Sequence, residues 1–267
     1  MRVLALAAAM LVAGCSGVQP RDAAGDRPTI VSLNPCTDAI LAEVAEPAQL
    51  LAISHYSHHP RATSMNLAKA RRFRATGGTV EEVLALDPDL VVAGSFLAPA
   101  TRAALEDMGM QVETFDAPSS VEDSLSQIRR LAVLANNKAG GQALAARIAA
   151  AARPIRGEPV DTILWQAGGI VPGESALVSE LLGRAGLRNQ TTLRGMGQAD
   201  YLALEQVVAD PPELLLVAGG ERGQRHPVLE QLPQTRRVSF NPSLVYCGGP
   251  TIIRAMERLR ELRREAA

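Results

Sequence analysis

The sequence predicts an α/β protein made of two lobes, each containing buried parallel strands. Short apolar runs such as Leu90-Val91-Val92-Ala93 alternate with helical stretches, a pattern typical of parallel sheets whose strands are covered on both faces. A unit made of a helix, a proline stop and an apolar strand occurs twice, 124 positions apart, so that Glu81 coincides with Glu205 and Leu90 with Leu214. Together these patterns favour two similar α/β units.

The composition excludes several classes of function. The chain has 267 residues and a net charge of −1, so it lacks the basic surplus typical of proteins that bind nucleic acid or an acidic membrane surface. Aromatic residues make up 3%, too few for a platform of stacked bases, whereas 47% hydrophobic residues can form a sizeable core. The three cysteines contain no C-x-x-C pair, which excludes a disulfide-rich scaffold and a zinc ribbon.

The N-terminus has the pattern of an export signal. Arg2 precedes an apolar run that is too short to span a bilayer but suits a signal peptide, which we place at residues 1–14. Val12-Ala13-Gly14-Cys15 resembles the lipobox of bacterial lipoproteins and implies lipidation of Cys15; the alternative is an ordinary signal peptide followed by a chance cysteine. Residues 15–28 predict a flexible tether. The folded part is therefore expected on the periplasmic side of the envelope, membrane-anchored or, without lipidation, soluble.

The first lobe is expected at residues 29–137. Ile30-Val31-Ser32-Leu33 predicts a short strand, Asn34 can cap the helix that follows, and Pro35 suits the first turn of that helix. Residues 80–86 predict a second helix, which Asp87-Pro88-Asp89 ends before an apolar strand.

Two helical stretches precede the second lobe. Ser119 and Glu122 fit a capping box for a helix over residues 121–135. The alanine-rich segment at residues 138–154 predicts a rigid helix that connects the lobes; the alternative is a surface helix of the first lobe.

The second lobe is expected at residues 155–267. It opens on the strand Thr162-Ile163-Leu164-Trp165. Gly219-Gly220-Glu221-Arg222-Gly223 does not fit the dinucleotide-binding pattern G-x-G-x-x-G and predicts a loop. An amphipathic helix around Arg254–Arg264 is expected to close the lobe.

Several motifs, taken in order, resemble those of a known family. Ile30-Val31-Ser32-Leu33-Asn34-Pro35, Ser54-His55-Tyr56-Ser57 and the stretch from Val83 to Val92 resemble the periplasmic binding proteins of cobalamin, haem and iron-siderophore ABC importers. The resemblance runs from about Thr29 to the C-terminal helix. It implies two Rossmann-like lobes joined by a single long helix, with a ligand cleft between the lobes and little hinge motion.

The resemblance also implies a docking role for two glutamates. In this family, a surface Glu on each lobe binds arginine pockets of the membrane permease, and the matching positions here are Glu81 and Glu205. One carboxylate per lobe suits a symmetric, dimeric partner. The alternative is that both acids only complement the dipole of the helix that they begin.

The cleft is expected where strands of both lobes end and loops begin. Tyr56 matches a ligand-stacking aromatic of the cobalamin-binding members, and Trp165 is one residue out of register with another, while Ala167 and Ala199 stand where further rings would be expected. The ligand contacts predicted on this basis are Asn34, Cys36, His55, Tyr56, His58, Phe96, Trp165, Tyr201, Tyr246 and Cys247.

Two groups of residues leave alternatives open. His55, His58 and His59 could ligate a metal or haem iron, but contacts at the cleft rim or plain solvation are the commoner case, and we expect no dedicated metal site. Cys36 and Cys247 have three interpretations: a disulfide between the lobes, paired thiols that contact the ligand, or two buried hydrophobic residues.

The resulting hypothesis is a monomeric binding protein and not an enzyme. It would capture a metal chelate (cobalamin or another corrinoid, a ferric siderophore, or haem) and deliver it to the permease dimer of an ABC importer, with no resident cofactor, no nucleic-acid partner, and membrane contact only through the lipid anchor. The alternatives are an exported thiol or redox protein that uses Cys36 and Cys247, and a free-metal-ion receptor that uses the histidines.

Overall fold

Parallel strands form two separate sheets, one in each half of the chain. The structure is a computed structural model and describes residues 27–266. The predicted signal peptide, the acylation site Cys15 and the tether up to residue 26 lie outside these residues. Among the described helices, none is long and apolar enough to cross a membrane.

The first lobe contains a five-stranded sheet in the order β3-β2-β1-β4-β5, with every neighbouring pair parallel. Its strands are β1 (Ile30–Ser32), β2 (Leu50–Ser54), β3 (Ala75–Thr76), β4 (Leu90–Gly94) and β5 (Gln111–Phe115). Its helices are α1 (Pro35–Val44), α2 (Leu67–Ala70), α3 (Val80–Leu84) and α4 (Pro99–Asp107), and a 3₁₀ turn covers His55–His58.

Two 14-residue helices follow, α5 (Val121–Leu134) and α6 (Lys138–Ala151). The predicted capping box at Ser119 and Glu122 is wrong by one position, because Ser120 caps α5 by accepting a hydrogen bond from the backbone of Asp123. Helix α6 lies within the predicted connecting segment, and it precedes the first strand of the second sheet.

The second lobe contains a four-stranded parallel sheet in the order β11-β10-β6-β8 and a small antiparallel pair of strands, β7 and β9. The strands are β6 (Val160–Gln166), β7 (Ile170–Val171), β8 (Leu187–Asn189), β9 (Asp200–Tyr201), β10 (Leu214–Ala218) and β11 (Arg236–Ser239). The helices are α7 (Leu177–Arg184), α8 (Gln190–Leu193), α9 (Leu204–Ala209) and α10 (Thr251–Ala266). Further 3₁₀ turns cover Ala167–Gly169, Gly223–Arg225, Pro227–Gln231 and Pro242–Leu244.

The internal repeat predicted from the sequence is present in the structure. Strand β4 begins at Leu90 and β10 begins at Leu214, so the two strands keep the 124-residue offset, and helices α3 and α9 precede them. Each of these strands pairs with the first strand of its own sheet, β1 or β6. The two lobes therefore place equivalent elements at equivalent positions.

One hydrophobic core joins the lobes through α5, α6 and α10. Ile128, Leu144, Ile148 and Leu259 are fully or almost fully buried in a cluster that also includes strand residues of both sheets. Gly141 lets α5 and α6 approach closely, since a Cβ at this position would lie 2.2 Å from the Cβ of Ala132. Apolar packing of this kind resists relative motion of the lobes, because repacking a buried core is costly.

Candidate ligand-binding site

The first turn of α1 lies where strands β1 and β4 end. Asn34 caps the helix: its Oδ1 accepts a hydrogen bond from the backbone N–H of Cys36 at 2.7 Å. Gly94 ends β4 directly beside it, and a Cβ on Gly94 would lie 2.4 Å from Asn34 Nδ2. This close approach leaves room for a Cβ at Gly94 only if the Asn34 amide moves, and it brings two of the predicted cleft loops together.

Asp38, at the end of the first turn of α1, holds the loop that follows β2. Its carboxyl group is fully buried, and its Oδ2 accepts hydrogen bonds from the Ser57 hydroxyl at 2.6 Å and the Ser54 backbone N–H at 3.1 Å. Its Oδ1 has no hydrogen-bond partner within the described part of the chain. Burial disfavours the charged form and raises the pKa of Asp38 to about 8, although Ser32, Ser57 and Ser54 act in the opposite direction.

The turn held by Asp38 carries the predicted histidines. His55 Nδ1 lies 3.3 Å from the carbonyl oxygen of Thr76, and His58 Nε2 lies 3.1 Å from that of Ala70, so the two rings contact different backbone segments. No group of three His, Cys, Asp or Glu side chains within residues 27–266 is placed to hold a metal ion. The His55 ring instead contacts the Tyr56 ring, with centroids 4.1 Å apart.

Four aromatic side chains of the predicted cleft are exposed to solvent. Phe96 is 91% exposed, Tyr201 63%, Tyr246 57% and Tyr56 55%, and these include all three tyrosines of the chain. Tyr56 follows β2 and Phe96 follows β4 in the first lobe, whereas Tyr201 ends β9 and Tyr246 follows β11 in the second. Large aromatic rings are seldom left exposed in a group, so four of them in loops near strand ends favour a binding surface.

Trp165 does not join these aromatics. It is only 3% exposed, and its indole N–H donates a hydrogen bond to the carbonyl of Leu202 at 3.0 Å. It packs with Ile163 and Leu215 in a smaller hydrophobic cluster of the second lobe, separate from the core that joins the lobes. Trp165 is therefore a core residue and not the ligand contact that the sequence predicts, because β6 directs its side chain toward the interior of the lobe.

Cys36 and Cys247 form a disulfide, with their Cα atoms 5.2 Å apart. Of the three interpretations of these cysteines, the structure shows the bridge between the lobes. It connects the start of α1 to the loop before α10, and it makes both sulfur atoms unavailable as free thiols.

Hydrogen bonds around Ser64 reinforce this connection. The Ser64 hydroxyl donates to Cys247 Sγ at 2.6 Å, and the Ser64 carbonyl accepts from Thr251 Oγ1 at 2.9 Å and from the Arg254 guanidinium at 3.2 Å. In addition, Ser124 of α5 accepts from the backbone N–H of Gly249 at 2.7 Å. Residues of the first half of the chain thus fix the loop that carries Tyr246.

Asp38 and Ser64 are not among the site residues that the sequence predicts. Asp38 lies in the first turn of α1, where an acid has an ordinary explanation in the helix dipole. The only signal was its position on the buried face of the helix, between Thr37 and Ala39. Ser64 gave no signal, because its partners are more than 180 residues away in sequence.

The two glutamates of the repeat lie in the first turns of α3 and α9 and are exposed. Neither the Glu81 nor the Glu205 side chain forms a hydrogen bond or ion pair with the residues that the structure describes. Glu82, next to Glu81, is different, since its carboxylate accepts hydrogen bonds from Gly77 N and Thr76 Oγ1 at 2.6 and 2.8 Å. The repeat therefore presents one uncommitted carboxylate on each lobe.

Solved structures with this fold include several binding proteins. The chain is similar to the periplasmic heme-binding protein RhuT of a Roseiflexus species (23% identity, TM-score 0.69, covering 90% of this chain and 99% of that one). It is also similar to the heme-binding protein HutB of Vibrio cholerae (17%, 0.71, 88% and 98%). The vitamin B12 binding protein BtuF of the same organism also matches (18%, 0.63, 89% and 97%).

At these identities, the structural matches establish the fold. No curated protein matches the sequence. The family model described as periplasmic binding protein matches residues 30–240, which include both sheets. The chain therefore belongs to the periplasmic binding protein family.

Proposed function

We propose that this protein is the substrate-binding component of an ABC importer and captures a metal chelate, namely a corrinoid, a ferric siderophore or haem. The observation that carries the proposal is the exposure of Tyr56 and Phe96 on one lobe and of Tyr201 and Tyr246 on the other. Rings supplied from both sides can stack on a flat ligand, and each stacked pair contributes on the order of 1 kcal/mol beyond its area burial. Relatives named for heme and vitamin B12 support this ligand class.

The way the lobes are held supports binding with little closure. The Cys36–Cys247 disulfide and the continuous core through α5, α6 and α10 keep the spacing of the cleft loops nearly constant. A preformed cleft avoids the cost of ordering its walls when the ligand arrives.

Delivery to the permease uses Glu81 and Glu205. Both carboxylates are exposed and form no ion pair with the described residues, and they occupy equivalent positions in two lobes whose parallel sheets have a similar strand order. A pair of this kind fixes orientation on a two-fold symmetric permease, because each charge meets the same kind of pocket. Acylation at Cys15 would keep the protein at the membrane that contains the permease.

Thermal unfolding and tryptophan fluorescence test the ligand class. The full exported chain with Cys15→Ser is mixed in turn with cyanocobalamin, haemin and a ferric siderophore. A ligand at 100 times its Kd adds about 2.7 kcal/mol, which should raise the midpoint by roughly 5–11 °C. A bound chromophore should also quench the single tryptophan, Trp165, which is buried in the second lobe. An unchanged midpoint and unquenched emission with all three chelates would exclude this ligand class.

A further inference from the structure

A separate pocket lies on the first lobe, beside the start of β2. It has a volume of about 280 Å³, an apolar floor that includes Pro47, Leu50 and Phe73, and a rim formed by Lys69, Arg72 and Arg74. Leu50 begins β2, whereas Tyr56 follows the end of the same strand. Leu50 in the floor of the pocket and the cleft aromatic Tyr56 therefore lie at opposite ends of β2.

Two cations that line this pocket, Arg72 and Arg74, and their neighbour Arg71 have no counter-charge among the described residues. Glu43 forms ion pairs with Lys69 at 2.5 Å and Arg147 at 3.3 Å. Burial of Glu43 disfavours its ionisation, but these two cations outweigh burial and lower its pKa. The carboxylate of Glu43 therefore already neutralises Lys69 and Arg147 and does not balance the neighbouring arginines. Arg71, Arg72 and Arg74 are exposed and form no ion pair or side-chain hydrogen bond with any described residue.

The tether enters the folded body beside this pocket. Arg27, the first described residue, forms an ion pair with Glu46 at 2.7 Å, and the Gln49 side-chain amide donates to the Pro28 carbonyl at 3.0 Å. Residues 46–50 thus hold the tether and also supply Pro47 and Leu50 to the pocket. The chain between Cys15 and Arg27 can span at most about 40 Å, whatever its conformation.

We propose that the pocket rimmed by Lys69, Arg72 and Arg74 is a membrane-surface site that seats the phosphate groups of anionic phospholipids. The proposal rests on the anchor proposed at Cys15, because a short tether gives the surface nearest its attachment a high effective concentration at the bilayer. Guanidinium groups match phosphate geometry and charge, and the apolar floor can accept the glycerol and upper acyl region of a lipid. The near-neutral net charge of the whole chain gives no indication of this local basic patch. Under this proposal, the protein contacts the membrane through the patch as well as through the lipid anchor.

This contact has a consequence for orientation. When the pocket rests on the bilayer, the opposite edge of the sheet, with Tyr56 and Phe96, faces away from the membrane. The cleft is then open to the periplasm for capture. Docking through Glu81, which follows the carboxyl end of β3, requires the protein to leave this orientation. The membrane-bound state is therefore a capture state that excludes docking.

Vesicle co-sedimentation of the full exported chain with Cys15→Ser tests the surface without the anchor. Vesicles of phosphatidylglycerol and phosphatidylethanolamine should bind the protein, vesicles of phosphatidylcholine alone should not, and added salt should weaken the binding. The triple variant Arg71→Gln/Arg72→Gln/Arg74→Gln should lose roughly 100-fold in affinity, the combined effect of three cations near an anionic surface.

The matched control removes the same charge from the second lobe, through Arg222→Gln/Arg237→Gln/Arg264→Gln, three exposed arginines that form no ion pair within the described chain. This variant should bind the anionic vesicles like the parent protein. Equal loss in both triple variants, or no binding to phosphatidylglycerol, would overturn the assignment. Stabilisation by inorganic phosphate without vesicle binding would likewise overturn it in favour of a free anion. Because no variant here can be acylated at residue 15, mass spectrometry of the wild-type protein tests the anchor independently.

Discussion

Cys36 and Cys247 are 211 residues apart in the chain and are joined by a disulfide that connects the two lobes. Cys36 is the second residue of α1, and Cys247 follows the exposed Tyr246 in the loop before α10. The bridge therefore anchors a predicted ligand contact of the second lobe to the helix whose first turn organises the first lobe. Covalent closure of so long a segment reduces the freedom of the unfolded chain, so it should stabilise the folded protein.

Replacing both cysteines by serine should lower stability and loosen the lobes. Removal of a native disulfide costs about 2–5 kcal/mol, which corresponds to a fall of roughly 4–20 °C in the melting midpoint for a chain of this size. Hydrogen exchange should accelerate at residues 244–250, while β4 and β10 remain protected. Dithiothreitol should reproduce the fall in the wild type and leave the double variant unchanged. A midpoint that responds to neither change would show that the core alone sets the stability.

The buried carboxyl of Asp38 should make stability depend on pH. Its pKa is raised from 3.8 to about 8, so the folded state retains a proton that the unfolded state releases. The contribution of this group to stability is complete below about pH 4 and is lost as the pH rises toward 8, by up to about 1.4 kcal/mol per pH unit. Asp38→Asn keeps an acceptor for Ser57 and Ser54 but does not titrate.

Unfolding measured from pH 4 to pH 9 checks this expectation. The wild type should lose stability relative to Asp38→Asn up to about pH 8, and the difference should then level off. Asp38→Ala should be less stable than Asp38→Asn at every pH, because the Ser57 hydroxyl and the Ser54 N–H lose their acceptor. If the stabilities of the wild type and Asp38→Asn change in parallel with pH, the Asp38 carboxyl of the folded protein is already ionised at low pH, and its pKa is not raised.

The fold could be predicted from sequence because its signals are local. The apolar runs that became β4 and β10 are buried on both faces, and the proline stops before them mark where each helix ends. Asn34 and Pro35 identified the start of α1 for the same reason. The cap of α5 was misplaced by one residue because adjacent serines, Ser119 and Ser120, offer the same chemistry, and only tertiary packing selects one.

The site was less predictable because its determinants are distant in sequence. The pairing of Cys36 with Cys247 depends on how two lobes pack, which no local pattern records. The burial of Trp165 depends on which face of β6 it occupies, and a shift of one residue reverses that face. The exposed positions of Tyr56 and Phe96 were easier to anticipate, because loops that follow parallel strands lie at one edge of the sheet.

Each exposed cleft aromatic should contribute to ligand affinity but little to stability. Tyr56→Ala, Phe96→Ala and Tyr246→Ala should each weaken chelate binding about tenfold, since the loss of one stacked ring costs on the order of 1.4 kcal/mol. Their melting midpoints without ligand should stay within about 2 °C of wild type, as is usual for exposed positions. Met108→Ala removes an apolar side chain that is 62% exposed at the end of α4, so it serves as the control and should bind normally. Full affinity in all three aromatic variants would place the ligand elsewhere.

Glu81 and Glu205 should matter for transport and not for binding. Glu81→Gln/Glu205→Gln removes both uncommitted carboxylates and keeps their shape, so chelate affinity and melting midpoint should remain at wild-type values. Uptake by cells should fall by more than tenfold, because removing one partner of a charge pair at such an interface costs several kcal/mol of binding free energy. Each single variant should retain intermediate uptake, since one lobe can still dock.

Asp107→Asn/Glu158→Gln provides the control. These two acids are exposed beside the starts of β5 and β6, at the opposite edges of the two sheets, and their loss should leave uptake intact. A double docking variant that transports normally, or one that loses chelate affinity, would overturn the docking assignment.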